Sequence, residues 1–121
     1  MSKKIVVAED FNVSRKIIVN LLSKAGYSIL EAADGQEALQ HFDGQDLDLL
    51  ITDYNMPNMD GAELISEVRK NEHYSYIPIL LLTTEVKEEK IQKALDEDIT
   101  AWIKKPFQAD GFLKIVNRAL K

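Results

Sequence analysis

Five short apolar or β-branched runs punctuate the chain, at 5–8 (IVVA), 28–32 (SILEA), 47–52 (LDLLIT), 77–82 (IPILLL) and 101–103 (AWI). None alternates cleanly, as a strand with one wet face would. Near-continuous apolar runs of this length are expected of parallel strands covered on both faces. Between them the period changes. Val13, Ile17, Ile18, Leu21, Leu22 and Ala25 form one stripe at helical spacing, and Gly26 follows as a stop. Asp34 with Glu37, and Asp60 with Glu63, have the spacing of an N-cap and its reciprocal partner, predicting helices through 38–42 and 64–68. Val86, Ile91, Ala94 and Leu95 support a fourth helix, and Phe112, Leu113, Val116, Ala119 and Leu120 a fifth. The charge-rich 85–93 (EVKEEKIQK) reads as the wet side of that fourth helix. Strand and helix thus alternate five times, which predicts an α/β fold: a parallel five-stranded sheet with right-handed crossovers and helices on both faces.

In such a sheet all strands point their C-terminal ends at one edge, where ligands bind. Here that edge is chemically marked. The first run leads into Glu9 and Asp10, the third into Asp53, the fourth into Thr83, Thr84 and Glu85, and the fifth into Lys104, Lys105 and Pro106. Singly, each has a plain alternative. Asp10 can sit at a helix start, Asp53 in a surface loop, Thr84 as a helix cap, and Lys105 in solvent. Collected at four of five strand ends they are harder to dismiss. Three carboxylates that close repel by about 4 kcal/mol per pair at an effective dielectric of ~20. A hard divalent cation relieves this, and oxygen donors without Cys or His select Mg²⁺, Mn²⁺ or Ca²⁺ over zinc. An acidic cation site beside a lysine and a hydroxyl suits a phosphoryl group, and Asp53 is the available nucleophile.

Composition narrows the classes. The chain has 121 residues, enough for one domain with a real core, spanning 1–121. A net charge of −5 with no long basic run argues against direct nucleic-acid binding. There is no cysteine, hence no disulfide or thiolate site. The apolar stretch at 5–8 is too short for a signal peptide, and nothing approaches a membrane span, so a cytoplasmic protein without membrane insertion is expected. His41 and His73 read as surface residues, and Met56 and Met59 as packing residues. A hydrolase with an aspartyl nucleophile would need an acid/base carboxylate two residues on, where Asn55 stands. A flavin carrier would need a neutral phosphate loop, where the acidic 9–12 (EDFN) stands.

The segments VAEDF (7–11), TDYNMPNMDG (52–61), LLTTE (81–85) and KPF (105–107), in this order, resemble the receiver domain of two-component response regulators, most closely its single-domain chemotaxis type. The resemblance implies a doubly wound (βα)5 flavodoxin-like three-layer sandwich with strand order 2-1-3-4-5. It further implies that Asp53 is the phosphoacceptor, and that Glu9, Asp10, Asp53 and the carbonyl of Asn55 hold Mg²⁺, with Mn²⁺ able to substitute. Lys105 and Thr83 would bind the phosphoryl group, and Thr83 and Trp102 would be the switch pair. Asn55 and Glu85 would tune dephosphorylation toward a lifetime of seconds to minutes, and Pro106 would follow a cis bond. Pro57 and Gly61 read as turn formers. Glu9, Trp102 and Asp98 depart from the family's commoner Asp, Tyr or Phe, and Gly. The implied partners are a sensor histidine kinase or histidine phosphotransfer protein and a separate output protein, with the unphosphorylated chain a monomer. The implied role is a switch that promotes its own phosphorylation and dephosphorylation without turning over an external substrate.

Overall fold

The five apolar runs are the five strands of one parallel sheet. A computed structural model describes residues 2–84, 92 and 99–121. Its strands are β1 (Lys4–Ala8), β2 (Ser28–Ala32), β3 (Leu49–Asp53), β4 (Ile79–Thr83) and β5 (Ala101–Lys104), in the order β2-β1-β3-β4-β5. All four pairings are parallel. The third and fourth strands start two residues later than their apolar runs. At the first of these starts Asp48 turns its carboxylate to the Lys4 N–H at 2.7 Å. At the second, Pro78 has no N–H to give and only its carbonyl joins the ladder, accepting from Leu50 at 3.1 Å. Both strands also run one residue further, so Asp53 and Thr83 are themselves ladder residues, opposite Leu82 and Lys104.

Helices cover both faces, as the non-alternating runs require. Ile5, Val7, Leu49, Ile51, Leu80, Leu82 and Ile103 pack with Ile18 and Leu22 of α1 (Asn12–Lys24) and with Phe112 and Val116 of the C-terminal helix (Ala109–Ala119). Their neighbours Val6, Ala8, Leu50, Ile79 and Leu81 face the other way. They meet Ala38 of α2 (Gly35–Gln40) and Leu64, Ile65 and Val68 of α3 (Gly61–Lys70). Both Asp N-caps form, Asp34 accepting from Glu37 N–H and Asp60 from Glu63 N–H, each at 2.8 Å. Gly26, at φ +96°, ends α1 in the left-handed region. Helix α2 stops at Gln40, short of the expected Phe42, which is buried beyond it.

The α1 stripe needs correcting. Only Ile18 and Leu22 are buried, while Val13 and Ile17 are 59% and 51% exposed. The stripe is wider than the strip of helix that meets the sheet, and Ile17 lines an open hollow of about 400 Å³ with Phe107 and Pro106. The expected fourth helix, its charge-rich run, Glu85 and Asp98 lie outside the described residues. Among the described residues no helix is long and apolar enough to cross a membrane.

Candidate functional site

Strands β1 and β3 are neighbours with Ala8 opposite Thr52, so the acids that follow each strand converge. One carboxylate oxygen from each of Glu9, Asp10 and Asp53 lies within 4.8 Å of the other two. Lys105, just past β5, reaches across this cluster. Its Nζ donates to Glu9 Oε1 at 2.8 Å and to Asp53 Oδ1 at 3.0 Å. Its own backbone N–H is tied to the Thr83 carbonyl at 2.9 Å, and the Lys105–Pro106 bond is cis. The sheet therefore brings together four residues singled out in the sequence, which lie up to 96 positions apart.

Burial makes the electrostatics severe. Glu9 is 1% exposed and Asp53 8%, whereas Asp10 is exposed. Burial, reinforced by the neighbouring Glu9 carboxylate, pushes the Asp53 pKa up to about 7 against the pull of Lys105. Burial opposes the Lys105 charge as well, but its bonds to Glu9 and Asp53 prevail and hold its pKa above the ordinary lysine value. Three carboxyl groups share a single ammonium, so the cluster is short of positive charge. Moreover, the second Glu9 oxygen, Oε2, is buried with no hydrogen-bond partner among the described residues. A buried carboxylate oxygen left bare is costly. Oxygen-only donors, that shortage of positive charge and the bare oxygen together fit a hard divalent cation such as Mg²⁺.

Asn55 is exposed in the loop after β3, and Thr83 is buried at the end of β4. Trp102 lies on β5, 40% exposed, and does not join the acids. Glu85 lies outside the described residues. Met56 and Met59 are half-buried against the core, as expected of packing residues. His41 contacts the Glu31 carbonyl at 3.1 Å, and His73 lies 3.9 Å from Asp46, both at the surface.

Three supports of the site were not visible as such in the sequence. Gly61 donates its N–H to the Tyr54 carbonyl at 2.7 Å, and a Cβ there would stand 2.4 Å from the Asp53 carbonyl oxygen. Its absent side chain thus lets α3 start directly against the end of β3, a tighter demand than turn formation. Asn58, at φ +68°, donates to Asp34 Oδ2 at 2.9 Å and ties the β3–α3 loop to the α2 start. That bond and the Glu37 N–H cap, the cap foremost, hold the Asp34 carboxyl below its usual pKa. Gly35 completes this latch, because a Cβ there would lie 2.4 Å from the Met59 carbonyl oxygen.

An acidic pocket crossed by a lysine, at the C-terminal edge of a 2-1-3-4-5 parallel sheet, defines a doubly wound α/β domain built to handle a cation and a phosphoryl group. The comparisons with known proteins make the class specific. The family model of the response regulator receiver domain matches residues 5–117, and the chain belongs to that family. It is thus a phosphoacceptor-type signalling domain of two-component systems. It is 38% identical over 107 residues to the chemotaxis protein CheY-3 of Vibrio cholerae, covering 88% of this chain and 82% of that one. Helicobacter pylori CheY1 is 41% identical over 106 residues, covering 86% of each. The structure of Vibrio cholerae CheY4 superposes with a TM-score of 0.94 at 38% identity, covering 99% of this chain and 100% of that one. The receiver domain of a Pseudomonas aeruginosa sensor histidine kinase, solved with magnesium in its active-site cleft, gives 0.91 at 26% identity over 99% of this chain and 98% of that one. The family binds Mg²⁺ in its acidic site and works with sensor histidine kinases and downstream targets.

Proposed function

We propose that Asp53 accepts a phosphoryl group from the phosphohistidine of a sensor kinase or phosphotransfer protein, and that the modified domain changes its binding to a separate output protein. The observation that carries this reading is Lys105 Nζ held between Glu9 and Asp53 beside the bare, buried Glu9 Oε2. Glu9, Asp10, Asp53 and the Asn55 carbonyl would hold Mg²⁺, with Mn²⁺ as a substitute. When bound, the cation neutralises the acids and draws charge from the phosphoryl oxygens.

An Asp53 carboxylate oxygen attacks phosphorus in line. The new P–O bond forms as the P–N bond to the donor imidazole breaks, and the imidazole keeps the electron pair and takes up a proton. Lys105 neutralises charge on the transferred oxygens, leaving Glu9 Oε1 to the cation site, while the Thr83 hydroxyl donates to another phosphoryl oxygen. Moving Thr83 toward the phosphoryl group frees space for Trp102, so modification shifts the population toward a state with the indole turned in. Asn55 and Glu85 set how fast water removes the group. The promoted chemistry is the domain's own phosphorylation and dephosphorylation.

Incubating the protein with acetyl phosphate and Mg²⁺ will add one phosphoryl mass to the peptide carrying Asp53, and chelation will prevent it. Tandem mass spectrometry that places the group elsewhere, or finds it independent of the cation, overturns the reading. Lys105→Met will slow this phosphorylation by about 10²–10³-fold, the usual effect of losing one charge-stabilising donor. Mg²⁺ affinity will be kept or raised, because a competing positive charge has gone. Stopped-flow rates over a Mg²⁺ titration separate the two effects, and an unchanged rate at saturating Mg²⁺ removes Lys105 from the mechanism.

A further inference from the structure

The β1–α1 loop that carries Glu9 and Asp10 is held by a residue with no place in the chemistry above. Arg15 ends the first turn of α1 and is mostly buried, its side chain 15% exposed. Side chains on a helix lean toward its N-terminus, so the guanidinium folds back over the loop. Its Nη1 donates to the Glu9 backbone carbonyl at 2.8 Å, Nη2 to Asn12 Oδ1 at 2.6 Å, and Nε to Glu31 Oε1 at 3.2 Å. One planar fork thus joins the residue after β1, the first residue of α1 and the penultimate residue of β2. Helix α1 has no side-chain N-cap, and Asn12, which begins it, spends its side-chain oxygen on this arginine. Lysine, a point donor on a flexible stem, cannot reproduce three divergent bonds.

We propose that Arg15 is a positioning residue for the cation site: by fixing the Glu9 carbonyl it fixes the direction in which the Glu9 and Asp10 carboxylates leave the loop. This rests on the assignment of Glu9 and Asp10 as ligands. Two effects of the guanidinium oppose each other and have opposite signs. Its positive charge, partly offset by Glu31, repels a divalent cation, so electrostatics alone makes removal of Arg15 tighten metal binding. Its grip on the loop orders the ligands, so loss of position makes removal weaken binding. Three bonds from one planar fork, foremost the part-buried 2.8 Å bond to the Glu9 carbonyl, outweigh a charge that solvent and Glu31 screen from behind the loop.

The test is Mn²⁺ affinity, read from the free-ion electron paramagnetic resonance signal, for wild type, Arg15→Ala and Arg15→Lys, each well below its melting temperature. The expected result is a dissociation constant raised 3–10-fold in both variants, including the one that keeps the charge. Phosphorylation by acetyl phosphate will be slower at low Mg²⁺ and return to within about twofold of wild type at saturating Mg²⁺, whereas a merely structural role would lower the melting temperature and leave both readouts alone. Arg15→Lys keeps the experiment decisive should Arg15→Ala fold poorly. Affinity that is unchanged or tighter in a folded variant overturns the proposal and leaves the phosphoacceptor reading standing. A wild-type protein that binds no Mn²⁺ instead overturns the ligand assignment, and the proposal with it.

Discussion

Asp53→Asn will take up no phosphoryl group, yet in chelator at neutral pH it will unfold at a higher temperature than the wild type. The first half follows from chemistry, since an amide offers no carboxylate nucleophile to form the acylphosphate. The second follows from the site without its cation, where burial and then Glu9 push the Asp53 pKa to about 7, while an unfolded aspartate titrates near 3.9. The native state then binds the proton more tightly than the unfolded chain does. By linkage, stability is unimpaired below about pH 4, falls as pH rises toward 7, and carries the full penalty above it. Asparagine has no such proton, so the gap between variant and wild type opens across this window. Water reaches the pocket, so the gain at pH 7.5 is about 1–2 kcal/mol, less than the whole shift would give. For a domain of this size that is roughly 3–10 °C in melting temperature. Saturating Mg²⁺ will narrow the gap, because the cation binds the native wild type and stabilises it by mass action. Thermal melts at pH 4 and 7.5, with and without Mg²⁺, check each arm. A variant less stable than wild type at pH 7.5 in chelator refutes this account of the acidic cluster.

The same cluster shows which parts of the molecule were legible in the sequence. Strands covered on both faces leave continuous apolar runs, and Asp caps bond an N–H three residues on, so both are local signals. The site acids and Lys105 were legible because a parallel sheet sends every strand end to one edge, which converts sequence order into position. Supports that depend on how separate loops meet were not. Arg15 reads as one more charged residue on a helix until the Glu9 carbonyl is placed beside it. Asn58 and Asp34, 24 positions apart, meet only because the β2–α2 and β3–α3 loops lie side by side. The α1 stripe failed in the opposite direction. Period alone cannot tell which apolar residues a neighbouring element covers, and Val13 and Ile17 stay uncovered.

Gly61 tests the hidden part of that architecture with a single methyl group. A Cβ at this position would stand 2.4 Å from the Asp53 carbonyl oxygen and 3.0 Å from Tyr54 Cα. Both neighbours are backbone at the end of β3, which is held on both sides by β1 and β4. They cannot swing away as a flexible side chain would, so α3 or the strand end must shift. Against this, alanine is the better helix former by up to about 1 kcal/mol. The clash wins, and Gly61→Ala will cost about 2–4 kcal/mol in urea unfolding. Gly111, inside the C-terminal helix with nothing within 4 Å of its absent Cβ, isolates the opposing term. Gly111→Ala will be neutral or stabilising by up to about 1 kcal/mol. Because the displaced carbonyl belongs to Asp53, the proposed phosphoacceptor, folded Gly61→Ala will also be phosphorylated more slowly than Gly111→Ala at equal Mg²⁺. Equal urea midpoints for the two alanine variants would show that β3 and α3 do not need this close approach.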